Sequence, residues 1–118
     1  MEAGMRGDVL FGLMRATAMR SRVIGNNIAN FETPGYVRQV VRFEDLVSSE
    51  LERGRKDFSE LEPVTENDEL TPGRPDGNNV NLELEIASAR MNRLQSELWG
   101  SLLQARFGLL KASIESSR

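Results

Sequence analysis

Six acidic side chains, Asp57, Glu60, Glu62, Glu66, Asp68 and Glu69, crowd one stretch of the chain and are the first place to look for chemistry. Clustered carboxylates can hold calcium or work as an acid/base pair, but both uses need fixed spacing. These residues lack the register of a calcium-binding loop and stand in a segment without periodicity to hold them, so a solvated loop is expected. Arg53, Arg55 and Lys56 follow Glu50 and Glu52, which favours local pairing over an anion site. Gly73 and Gly77 lie among prolines with no Lys-Ser/Thr after them, so there is no phosphate-binding loop. The 118 residues include no Cys and no His. Disulfides, thiolate nucleophiles, Ser-His-Asp relays and the common zinc sites are thereby excluded. No catalytic, metal or cofactor residues are expected, and no enzyme.

Charge and hydropathy narrow the partners. Eighteen acids against fifteen bases give a net charge of -3, which disfavours a nucleic-acid partner, since such binding runs on excess Lys and Arg. No apolar run approaches the length of a membrane helix. Val9–Met14 stops at Arg15 and follows Glu2 and Asp8, unlike the apolar centre of a secretory signal. The acidity belongs to the middle: residues 31–78 hold twelve acids and six bases, and all four prolines, Pro34, Pro63, Pro72 and Pro75.

The flanking segments supply the positioning elements. Leu10, Met14, Thr17, Ser21, Ile24 and Ile28 recur at alternating steps of four and three, which predicts a helix from about Asp8 to Asn30. Val80, Leu84, Ala87, Met91, Leu94, Leu98, Leu102, Ala105, Leu109 and Ala112 continue that pattern through the last segment and predict a helix over 79–114. At that length it would run about 54 Å, too long for a compact globule of this size. Asn79 or Asn81 is expected to cap it, and Glu83 and Glu85 suit the positive end of its dipole. Leu94, Leu98 and Leu102 make two consecutive steps of four, which straightens any supercoil. Small residues beside this stripe, Gly100, Ser101, Ala105 and Gly108, would let helices approach closely. Trp99 reads as a packing residue one position beyond Leu98.

Between the helices, Thr33-Pro34-Gly35-Tyr36 predicts a type II turn, with proline presetting one backbone angle and glycine accepting the positive one. Val37–Phe43 is β-branched and expected to be extended, with Val37, Val41 and Phe43 on one side. Phe43–Gly54 predicts a short helix using Leu46, Val47 and Leu51, and 55–78 reads as a flexible acidic loop. Asn26, Asn27 and Asn30 precede the turn. They are either caps and turn formers within the chain or amides bonding a neighbouring chain, and both readings place them at a structural junction.

Asn26-Asn27-Ile28-Ala29-Asn30 followed by Thr33-Pro34-Gly35-Tyr36 resembles the N-terminal signature of the bacterial flagellar axial proteins, the rod, hook and hook-associated family. Asp76-Gly77-Asn78-Asn79-Val80-Asn81-Leu82-Glu83, leading into a long terminal helix, narrows the resemblance to members at the cell-proximal end of the rod. Phe31-Glu32 replace the family's usual Ala followed by Asn or Asp, and Asn81 stands where an acid is common. The resemblance implies a structural subunit exported by the flagellar type III apparatus without a cleaved signal and assembled in the periplasmic part of the basal body. It also implies partners among other rod proteins, export-gate or MS-ring components and further copies of itself, with no small-molecule substrate, nucleic acid or membrane insertion.

The sequence thus predicts an all-α domain in four parts: an N-terminal helix (1–30), a turn with a short extended run and short helix (31–54), a partly disordered loop (55–78) and a long C-terminal helix (79–118). The terminal helices are expected to pack antiparallel, coiled-coil-like. Leu10, Met14, Ile24 and Ile28 are the expected seam against Leu84, Met91, Leu94, Leu98, Leu102 and Leu109, within the chain and between subunits. A helical adaptor or secretion chaperone, holding a client helix on the same stripe, is the alternative.

Overall fold

The computed structural model describes residues 6–117, so Glu2 and Arg118 lie outside it. Three helices and two strands follow in the order α1 (Gly7–Ala29), β1 (Gln39–Arg42), α2 (Glu44–Glu52), β2 (Val64–Asn67) and α3 (Leu82–Ser116). The periodic segments form helices within about three residues of the expected bounds. Gly35 takes φ 76° in the Pro34-Gly35 turn, and the Tyr36 amide donates to the Thr33 carbonyl at 3.2 Å. Gly54, at φ 88°, follows the last turn of α2.

The fold is mostly helical and not all-α. β1 pairs antiparallel with β2, with Val40 opposite Glu66 and Arg42 opposite Val64. The segment expected to be a structureless loop therefore contributes a strand. It also contributes Phe58, which is fully buried, and whose amide donates to Asp8 Oδ2 at 2.8 Å. In the acidic stretch Asp68 alone is largely covered, where it pairs with Arg38, while the others stay exposed as expected, Glu62 pairing with Arg15 and Glu66 with Arg42 at the surface.

α1 and α3 run antiparallel, as Asn27 meets Glu85 near one end and Thr17 meets Asn92 further along. The molecule is elongated, 67 × 30 × 18 Å, because α3 is longer than everything packed against it. The apolar interior is small. Leu13, Ala16 and Phe43 form its centre, with Val9, Val47, Leu61 and Trp99 against them. A β-carbon on Gly12 would stand 2.1 Å from Phe43 Cζ, so the glycine lets that ring lie directly on the α1 backbone. Val37, expected beside Val41 and Phe43, is exposed.

Candidate assembly surface

The two motif segments close on each other as one polar clasp. Asn27, on the last turns of α1, is fully buried. Its Nδ2 donates to the Gln39 carbonyl at 2.9 Å and to Glu85 Oε1 at 3.1 Å, while its Oδ1 accepts from the Gln39 amide and the Tyr36 hydroxyl, both at 3.0 Å. One side chain thereby ties α1, the turn, β1 and α3. Glu85, fully buried on the first turn of α3, receives Arg38 Nε on its second oxygen. Arg38 reaches on to Asp68 Oδ2 at 2.8 Å. Such a chain satisfies charges that would be costly to bury alone.

Asp68 is held down to a pKa of about 2, chiefly by the Thr71 hydroxyl and also by Arg38 and the amides of Leu70 and Thr71. Asn78 and Asn79 complete the clasp. Asn78 Nδ2 donates to the carbonyls of Asn30 and Thr33, each at 2.8 Å, and Asn79 Oδ1 accepts the Arg38 amide at 2.6 Å. Arg74 bonds the carbonyls of Val80 and Phe31. Asn81 caps α3, accepting the Leu84 amide at 3.2 Å.

Of the motif residues, Asn27 is thus an intrachain tie. Asn30 Nδ2 bonds the Asn26 carbonyl, and its Oδ1 accepts the Thr33 hydroxyl at 3.0 Å. Asn26, Thr33, Pro34 and Gly35 are exposed on the outside of the clasp.

The clasp fixes how α3 is rotated about its axis, and that rotation turns the leucine stripe outward. The face toward α1 carries Glu85, Asn92 and Trp99, spaced by sevens, with Glu85 and Asn92 buried. Leu84, Met91, Leu94, Leu98, Leu102 and Leu109 lie one flank away and are all exposed, Leu94 by 62% and Leu109 by 74%. The expected seam therefore does not close within the chain. Its α1 half is divided: Leu10 and Ile24 are buried in the chain's own interior, whereas Met14 and Ile28 stay partly accessible. Towards the C-terminus, Phe107, Leu110 and Ile114 add a second exposed apolar flank.

Heptad-spaced Glu85, Asn92 and Trp99 were the available signal for the inner face, because polar residues sharing one helical position with a tryptophan mark a specified contact. Among the described residues there is no group of three or more side chains suited to a metal ion, and no helix is long and apolar enough to cross a membrane.

An interior built this way leaves a strip of apolar side chains exposed along α3. No family model matches the chain. It is similar to a flagellar rod protein. The flagellar basal body rod protein FlgB of Bacillus subtilis (strain 168) is 27% identical over 112 residues, which cover 85% of each chain.

Proposed function

We propose that the chain is a structural subunit of the flagellar basal-body rod that joins its neighbours by burying the apolar stripe of α3. The carrying observation is that stripe: six large apolar side chains in register, left exposed by a fold that spends its buried face on polar ties. The similarity to a rod protein supports the same reading at the level of structural role and place in the flagellum.

Burying the exposed half of a leucine or methionine contributes about 1 kcal/mol. Six such contributions only match the low end of the roughly 4–15 kcal/mol that association costs. A lone pair is therefore weak, and a subunit held on several sides is stable. In this reading the rod is a packed stack of helices that transmits torque through side-chain contacts, with no bond made or broken. Export through the type III apparatus precedes assembly on the periplasmic side, beside other rod proteins, further copies and the basal-body components beneath them. The C-terminal turns of α3, apolar on two flanks, are covered only among neighbours.

Leu94→Asp tests this. Leu94 is exposed, so the change alters monomer stability by less than about 0.5 kcal/mol, but it places a carboxylate in the middle of the buried contact. The variant is expected to be exported at the normal level, to be missing from purified basal bodies and to leave cells non-motile. Normal motility with the variant present in basal bodies contradicts the proposal.

A further inference from the structure

Of the two edges of its small sheet, the fold largely closes one and leaves the other open. β1 turns the backbone of Gln39 and Val41 toward α1, where side chains stand in for a neighbouring strand. Asn27 Oδ1 accepts the Gln39 amide at 3.0 Å, Asn27 Nδ2 donates to the Gln39 carbonyl at 2.9 Å, and Arg20 Nη2 donates to the Val41 carbonyl at 3.1 Å. In an antiparallel pair, bonding to the partner strand alternates from residue to residue. The ladder between the strands therefore runs through Val40 with Glu66 and Arg42 with Val64, and it continues where the Asp68 amide donates to the Arg38 carbonyl at 2.8 Å. By the same alternation, Thr65 and Asn67 turn their backbone groups away from β1. All four residues of β2 are exposed, and these outward N–H and C=O groups have no partner among the described residues. Such an edge is a template for one more strand.

We propose that β2 is a docking edge for an extended, basic segment of a different protein, which adds to it as a third strand. Charge selects the occupant. Beside the edge lies a cleft of about 670 Å³ whose charged lining is Arg42 against Asp45, Glu66, Asp68 and Glu69. Arg38 matches Asp68, which leaves three negative charges to one positive. A residue of the added strand opposite Glu66 would stand in a pair without backbone bonds, where side chains come closest, and a lysine or arginine is favoured there. A second copy of β2 does not fit. The antiparallel register that bonds Thr65 to Asn67 of a second copy sets Glu66 opposite Glu66, and like charges so placed are destabilising.

The edge is short. Pro63, which has no N–H to give, closes one end of it. Thr65 and Asn67 together offer four backbone bonds, each worth little net because bonds to water are given up for it. A free segment therefore binds weakly, and occupancy needs a partner already held nearby, a condition that a tether reproduces by raising the effective concentration. The stripe residues of α3 take no part, so failure of this docking edge leaves the role of the stripe in assembly untouched.

The chain has no cysteine, so Leu70→Cys, at a position 94% exposed just past β2, gives a single tether. The probe is a short peptide of alternating threonine and lysine with a glycine spacer and one terminal cysteine, offered in a thiol buffer that lets disulfides exchange. Two control peptides compete with it. Glutamate replaces lysine in one; proline replaces threonine in the other, which keeps the charge and removes the backbone donors. The threonine-lysine peptide is expected to be captured at least about fivefold over either control. In that adduct, hydrogen exchange read by NMR is expected to slow at least about tenfold at the Thr65 and Asn67 amides, with Val64 and Glu66, already bonded to β1, changing less.

Adding Thr65→Pro removes an outward donor without touching the ladder to β1, and it is expected to erase the preference over the proline peptide with helical content unchanged. Should that variant lose structure, Glu66→Lys is expected to turn the preference from the lysine peptide to the glutamate one. Equal capture of the three peptides, capture of the proline peptide as readily as the threonine-lysine one, or unchanged exchange at Thr65 and Asn67 in the adduct overturns the assignment. So does slowing of those two amides in the wild-type chain alone as its concentration rises, since β2 would then pair with its own copy.

Discussion

Replacing Glu85 with alanine tests whether the buried polar clasp, and not apolar packing, fixes α3 on α1. The carboxylate is fully buried and accepts from Arg38 Nε and from Asn27 Nδ2 at 3.1 Å. Removing it leaves an arginine whose side chain is 23% exposed with one remaining carboxylate, Asp68. It also removes one of the two acceptors of the Asn27 amide. Breaking a buried ion pair from one side costs about 3–5 kcal/mol. The surviving Asp68 contact and partial access to water place this case at the low end, about 3 kcal/mol.

At this chain length that corresponds to a melting temperature lower by roughly 10 °C. Glu85→Gln, which keeps the shape and loses the charge, is expected to cost about 1–2 kcal/mol. Urea and thermal melts followed by circular dichroism read both values, and a double-mutant cycle with Arg38→Ala should return a coupling of at least about 1 kcal/mol. Glu85→Ala within 0.5 kcal/mol of wild type, or a coupling near zero, would refute the reasoning.

Three further outcomes follow from the same geometry. Gly12→Ala gains about 1 kcal/mol of helix propensity but drives a methyl into Phe43, so it should melt lower than wild type. Gly25→Ala, with nothing within 4 Å, should melt higher, and a rise for both contradicts the packing of Phe43. Asp68 has its pKa lowered to about 2 from 3.8, so its contribution is complete above pH 4 and is lost as pH falls toward 2. Allowing for screening, that is about 1–2 kcal/mol. Asp68→Asn should flatten the pH 4 to 2 limb of the acid-unfolding curve, and an unchanged limb contradicts the assignment. Residues 107–116, which carry exposed apolar side chains on two flanks, should exchange backbone hydrogens fast in the isolated chain and slowly in basal bodies; equal rates in both contradict their burial by neighbours.

Both long helices were legible because each repeats one signal over many turns. The Pro34-Gly35 turn, the Asn81 cap and the stop at Gly54 were legible because they depend on local backbone chemistry. β2 was not: Val64-Thr65-Glu66-Asn67 has no apolar alternation and all four residues are exposed, so only its distant partner β1 makes it a strand. Phe58 gave no signal either, since an isolated aromatic in an acidic stretch has no period.

For the candidate surface, the spacing picked out the leucines of α3 but not what they face. A stripe of that kind ordinarily packs inside, and here Asn27, Arg38 and Glu85 turn it out. That reversal depends on a bond between residues 58 positions apart, which no local pattern encodes.

Whether the stripe is buried between subunits can be measured directly. Single cysteines at Leu94, Leu98 and Leu109, with one at exposed Glu60 as control, can be probed with a maleimide in the isolated chain and in purified basal bodies. All four should react in the isolated chain, and only the control should react freely in the assembled rod. Stripe cysteines that react equally fast in both would contradict the account.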